Sequence, residues 1–326
     1  MRVLVTGATG FLGSNLAASL VAEGHDVRIL RRTSSSLSAI HDLDVEHVIG
    51  DIRDPDAVRS AVRGCDAVFH AAALVSYWKL QRAEMYDINI GGTINVVRAC
   101  LKENVGKLVH TSSVAAVGYR KDGLPADEST PFNWDSYDVG YRISKFRAEQ
   151  EVLKGVQAGL PAVIVNPSVI IGERDISFNG GQIVRDVFKK RIFYYIDGGI
   201  SVVYVGDVVR GHLAAARIGR IGERYLLTGE NLTHKQIIDT TVEVVGGWKP
   251  VFKLPFWGAK AIAAVSETVA NLTGTKPWIG RELVAGLNLT CWFSCEKAVR
   301  ELGHSVTPFR TAVERTFEWY RAHGML

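Results

Sequence analysis

Cysteine is scarce in this chain: four among 326 residues, at Cys65, Cys100, Cys291 and Cys295. Cys291 and Cys295 form a CxxxC pair with no second pair nearby, which excludes a zinc site of the usual spacing. Cys65 and Cys100 lie in apolar stretches where a buried free thiol is expected, and the pattern suits a reducing compartment. A strong charge of one sign is also missing. Lys and Arg number 38 against 34 Asp and Glu, a net charge of +4. The longest basic run, Lys189-Lys190-Arg191, reads as a solvated turn, so no nucleic-acid partner is expected. Long hydrophobic runs are absent too. The most apolar late stretch, residues 254–272, is interrupted by Lys260 and Glu267, which argues against a membrane span. The first residues enter a strand pattern directly, so no signal peptide is expected and the chain is read as cytoplasmic. No internal repeat or low-complexity segment stands out.

What is present is an ordinary globular balance, 47% apolar and 22% charged, in a chain long enough for a large core and two domains. Short Val- and Ile-rich runs recur at residues 2–7, 26–30, 45–50, 66–72, 107–113 and 162–170, each closed by small or polar residues. Amphipathic stretches at 12–23, 55–63, 85–104 and 141–157 lie between them. Continuous apolar strands alternating with helices predict an α/β fold, a doubly wound parallel sheet of Rossmann type. Beyond about residue 172 the rhythm changes, except for a strand and helix near 201–217 that read as a return to the sheet. The expected division is therefore a dinucleotide-binding domain of residues 1–172 with a return segment at 199–219. Residues 173–198 and 220–326 make up a smaller α/β substrate domain.

The first strand runs into "VLVTGATGFLGSNLAASL". Gly7, Gly10 and Gly13 let the backbone turn tightly and approach a pyrophosphate, with Thr9, Phe11 and Leu12 between them. The following helix start offers free N–H groups to an anion. The second strand ends in Arg31 and Arg32, followed by Thr33 and Ser34, where an NAD site normally carries an acid for the ribose 2′-hydroxyl. Two guanidiniums suit a 2′-phosphate, so NADP(H) is preferred over NAD(H), which remains possible. "GDIRD" places Asp51 and Ile52 where an adenine edge is read. "HAAA" supplies small side chains, Ala71, Ala72 and Ala73, past which a cofactor can lie.

Thr111, Ser112 and Ser113 end the fifth strand, at the rim where ligands sit in open α/β sheets. Next comes "GYRISKFRAEQ", with Tyr141 and Lys145 four residues apart on one helix face. An ammonium there favours the phenolate. Lowering a tyrosine from about 10 to the 7–8 range asks for roughly 3–4 kcal/mol. Tyr141 is thus the candidate proton donor, Lys145 its tuner and ribose ligand, and Ser113 the hydroxyl that holds the substrate oxygen.

These motifs together, with "INIGGTINVV", "VNPSVIIG" and "VVYVGDVVRGH", resemble an extended short-chain dehydrogenase/reductase over nearly the whole chain. The resemblance is to the dihydroflavonol 4-reductase-like branch, and closest to bacterial hopanoid-associated sugar epimerases. It implies Ser113 rather than Ser112 as the catalytic hydroxyl and Asn89 as a helix residue supporting the site from behind. It carries cofactor contacts onto Asn166, Pro167, Ser168 and Val169. It also implies a homodimer through the helices near 90–104 and 142–157. Related dehydratases carry an Asp-Glu pair just after the catalytic hydroxyl. Val114 and Ala115 stand there and neither moves a proton, so dehydration is disfavoured. The leading expectation is NADPH-dependent carbonyl reduction of a small, apolar or aromatic substrate. The alternatives are a sugar or nucleotide-sugar epimerase with retained cofactor and an NADP(H)-binding redox sensor. Trp78, Trp134, Tyr137 and Tyr194 are candidate substrate contacts, with packing between domains as the other reading of these aromatics. Arg174 is a candidate partner for a diphosphate. Residues 254–271 either line a pocket entrance or touch a membrane surface.

Overall fold

The computed structural model describes residues 1–326, the side chain of Asp135 excepted. The expected strands form where the sequence places them: β1 (Arg2–Thr6), β2 (Asp26–Arg31), β3 (Glu46–Ile49), β4 (Ala67–His70), β5 (Lys107–Thr111) and β6 (Ala162–Pro167). Helices α1 (Phe11–Ala22), α2 (Pro55–Val62), α3 (Arg82–Tyr86), α4 (Gly92–Lys102) and α5 (Gly140–Gln157) connect them. Between α3 and α4 the chain makes a π-helical turn over Asp87–Gly91. The parallel order β3-β2-β1-β4-β5-β6 reverses direction between β1 and β4, which opens a crevice beyond the strand ends there.

Alternation along β1 shows why the sheet is covered twice. Val3 and Val5 belong to one core with Leu16, Leu20 and Leu213. Leu4 belongs to the other, with Val58, Val96 and Val152. A strand buried on both faces needs this near-continuous apolar run.

The rest of the chain supplies β7 (Val169–Ile171), α6 (Gln182–Phe188), β8 (Tyr194–Tyr195), β9 (Gly199–Tyr204), α7 (Val205–Ile218), β10 (Arg224–Leu227), β11 (Glu230–Thr233) and α8 (His234–Val245). It continues through β12 (Phe252–Lys253), α9 (Phe256–Thr273), α10 (Arg281–Val284), β13 (Thr290–Cys291), α11 (Glu296–Leu302) and α12 (Phe309–Ala322). Two expectations need correction here. The run at 162–170 is two strands, because β6 stays in the main sheet while β7 pairs with β9 in a second sheet. The strand that returns to the main sheet is β10, beside β6, and not the one at 199–204. Only α7 of the expected return segment packs on the main sheet. "SVVY" and "RYLL" are equally apolar, so their pattern alone cannot say which sheet each one joins. The second sheet packs with α6, α8 and α12 around Val187, Ile238 and Tyr320. Helix α9 has the smallest core, made by Ala259, Ala263 and Val284.

Candidate active site

Backbone geometry explains the first glycines. Gly7 has φ +75°, and a Cβ there would lie 2.7 Å from the Ala72 nitrogen. A Cβ on Gly13 would lie 2.1 Å from the Gly7 oxygen. β1, the loop after β4 and the start of α1 therefore meet at distances that only hydrogen side chains allow. No side chain caps α1 at Gly10. The N–H groups of Phe11, Leu12 and Gly13 are left facing the crevice end, a ready anion site. Ala71 and Ala72 close the cradle, and the Thr6 hydroxyl accepts from the Ala72 nitrogen at 3.3 Å. These residues fit a dinucleotide pyrophosphate.

At the end of β2, Arg31 donates through Nε to His47 Nδ1 at 2.9 Å, while Arg32, Thr33 and Ser34 are exposed. Asp51 is held at about 2, first by its hydrogen bond from Arg53. Ile52 is buried beneath α4, where a Cβ on Gly92 would touch it. Asn89 lies in the π-helical turn. Its amide donates to Leu74 O at 3.0 Å and Ser144 Oγ at 2.9 Å, and it accepts from Leu74 N at 2.8 Å. It thus fixes the loop after β4 and the back of α5 together.

On α5, Lys145 is buried and its Nζ donates to the Thr111 carbonyl at 3.0 Å. Burial brings its ammonium down to about 8, with Glu149 opposing. Ser113 follows β5, its backbone oxygen accepting from Asn166 Nδ2 at 2.9 Å. Its hydroxyl accepts from Ala115 N at 3.1 Å, and it is the one neighbour that draws the Tyr141 phenol downward. The expected acidification of Tyr141 by Lys145 is absent in the protein alone. Burial and then Tyr77 push the phenol above its ordinary value, and Ser113 only partly offsets them. Farther along, Asn166 Oδ1 in β6 and Ser168 Oγ just after it are buried without a partner among the described residues. Pro167 is buried beside them and Val169 is exposed.

The aromatic and cationic candidates separate. Trp78 is half-buried and donates from Nε1 to Asn271 Oδ1 at 2.8 Å. Trp134 is 1% exposed, donates to Val117 O at 2.9 Å and packs with Val117, Ala126 and Phe293. Tyr137 joins it edge-on at 5.4 Å between ring centroids. Tyr194 stacks on Phe252 at 6.1 Å in the small β8–β12 pair. Arg174 is not assembled with Tyr141. Its guanidinium is engaged with Asp42 and donates to Ala39 O at 2.7 Å. Three neighbours of the site were not singled out in the sequence. Tyr77 meets Tyr141 edge-on at 5.7 Å. Arg142 lies 3.3 Å over the Trp134 ring. Glu282 of α10 accepts from Gly140 N at 2.8 Å, which places a carboxylate on the start of the Tyr141 helix. Tyr77 stands in the same aromatic loop as Trp78. Glu282 left no local signal, because its partner is 142 positions away.

The chain is similar to known proteins over nearly its whole length. The model of the NAD dependent epimerase/dehydratase family matches residues 3–227. A Synechocystis sp. protein named for dihydroflavonol 4-reductase is 34% identical, over 98% of this chain and 94% of its own. A Stenotrophomonas maltophilia protein named 2-alkyl-3-oxoalkanoate reductase is 31% identical, over 93% of this chain and 94% of its own. The solved structure of gox2253 shares 40% identity and a TM-score of 0.87, over 100% of this chain and 99% of its own.

Proposed function

We propose that this chain, which belongs to the NAD dependent epimerase/dehydratase family, reduces the carbonyl of a small apolar or aromatic substrate with NADPH. The observation that carries the reading is the Ser113–Tyr141 pair. A phenol held above its ordinary value keeps its proton at neutral pH, as a donor to a forming alkoxide must. Ser113 shares the oxygen that receives the proton, and Lys145, fixed on Thr111 O, sets the floor of the site. The bound dinucleotide supplies the hydride. Val114 and Ala115 add no second acid or base for elimination. Arg174 is committed to Asp42, which weakens the nucleotide-sugar epimerase reading. A relative named for reduction of 2-alkyl-3-oxoalkanoates supports an apolar ketone.

Exposed Arg32 with Thr33 and Ser34 favours NADPH over NADH. A homodimer accompanies the reading: α4 and α5 pack side by side and leave Leu101 and Leu153 only partly buried. A monomeric mass in solution would overturn that part.

The test follows NADPH oxidation with 2-alkyl-3-oxoalkanoates in wild type and Tyr141→Phe. Turnover is expected to fall by about 10²–10⁴-fold in the variant, with NADPH affinity nearly unchanged. Equal affinity for NADH and NADPH removes the cofactor preference. Turnover that survives in Tyr141→Phe removes the mechanism.

A further inference from the structure

We propose that the outer face of α9, together with Trp278, docks this protein onto an anionic lipid bilayer. The helix lies against the body through small residues, Ala259, Ala263 and Ala270. Its other side turns large apolar groups to solvent: Trp257 at 75% exposure, Val265 at 66%, Val269 at 54% and Leu272 at 83%. Trp278, just beyond the helix, is 75% exposed. Val265, Val269 and Leu272 follow at spacings of four and three, and Trp257 lies eight residues before Val265, about two turns along the same side. An apolar stripe this bare marks an interaction surface.

Charge identifies the occupant. Residues 248–281 carry five cations, Lys249, Lys253, Lys260, Lys276 and Arg281, and one acid, Glu267. That acid is buried and accepts from Arg281 N at 2.8 Å, so it does not reach the surface. Lys253 is paired with Asp197 at 2.6 Å. The other four cations have no side-chain acid partner among the described residues. Tryptophans at the edge of an apolar face with lysines around it match the interface of an anionic membrane. A second copy of the same face would bring a second set of unpaired cations to the seam with no surface acid to meet them. Among the described residues no helix is long and apolar enough to cross a membrane, and the proposed contact is peripheral.

The patch adjoins the reacting centre through one loop. Asn271 of α9 accepts from Trp78 Nε1, and the adjacent Tyr77 meets Tyr141. An apolar ketone leaving the bilayer beside α9 would arrive next to Tyr141. That last step rests on the reductase reading, whereas the docking does not.

The experiment is vesicle flotation of the full chain. Phosphatidylcholine vesicles containing phosphatidylglycerol are compared with phosphatidylcholine alone, at low and high salt. Wild type is expected to float with the anionic vesicles and to bind the neutral ones about tenfold or more weakly. The double variant Val265→Glu/Val269→Glu is expected to stay in the dense fraction with its thermal midpoint and NADPH binding unchanged. Lys260→Glu/Lys276→Glu is expected to lose only the preference for phosphatidylglycerol. Tyr141→Phe is expected to float like wild type, so failure of the reductase reading is read separately from failure of docking. Wild type that stays in the dense fraction overturns the proposal, as does flotation that both double variants retain. A concentration-dependent dimer that Val265→Glu/Val269→Glu dissociates, without flotation, assigns the face to a second copy instead.

Discussion

Helices α5 and α9 are both 18 residues long, yet they place their chemistry on opposite sides. α5 buries charge, with Lys145 and Glu149 facing the sheet and Tyr141 the crevice. α9 exposes apolar groups and buries small ones. Each also hides one glutamate. Glu149 accepts from Asn166 Nδ2 at 2.5 Å and pairs with Arg224, tying α5 to β6 and β10. Glu267 accepts only a backbone N–H, from the loop that returns after α9. Burying a charge is costly unless it is paired, so the number of partners measures how firmly each helix is built into the protein. α5 is part of the frame that sets the reaction, and α9 is an attachment laid on that frame.

Removing the α5 carboxylate should break this frame first. Glu149→Ala leaves Arg224 and one N–H of the Asn166 amide without their acceptor and is expected to cost about 3–5 kcal/mol. Chemical denaturation reads it as a lower midpoint with the slope unchanged. A cost near zero would mean that the buried pair is not what fastens α5 to β10.

Lys145→Met comes next. It is expected to lower turnover about 100-fold, close to 2.7 kcal/mol of transition-state stabilisation, without loosening α9. Its effect on stability has a distinct sign. Burial brings the folded lysine down to about 8 from its ordinary value of 10.5. Between those values the unfolded chain holds more protons, so the wild type gains stability as pH rises through that window and loses it as pH falls back toward 8. The variant should lack that increment. Denaturant melts at both ends of the window in the two proteins check it, and parallel curves would show that the ammonium is not desolvated.

How much of this was legible in the sequence follows from distance along the chain. The glycine loop was readable because a close backbone approach selects glycine at fixed positions, as at Gly7 and Gly13. Tyr141 and Lys145 were readable because helical spacing puts them on one face. The choice of Ser113 came from family resemblance. The long-range pairings were not readable. Arg174 looked free until the fold brought Asp42 to it, 132 positions away. Trp134 read either as a substrate contact or as packing between domains, and its burial and its bond to Val117 O make it core. The sheet assignment of β9 and β10 failed for the same reason, since partner choice is a tertiary property of equally apolar strands. Residues 254–271 were readable as an apolar helix, but not which side would meet the protein.

The smallest effect sharpens the contrast most. Glu267→Gln keeps an acceptor for the Arg281 N–H and removes only the charge that strengthens the bond, so it should cost about 1 kcal/mol. The same neutralisation at Glu149 strips an ion pair as well as a hydrogen bond, and so the two glutamines should differ severalfold in their effect on the thermal midpoint. Turnover should be unchanged in Glu267→Gln, because the glutamine keeps the acceptor that holds the Arg281 loop and leaves the Trp78 contact to Asn271 untouched. Vesicle association should be retained as well, since the exposed stripe is untouched. A large loss of turnover would instead make α9 part of the catalytic frame, with the return loop at Arg281 transmitting its position through Glu282 to the start of α5.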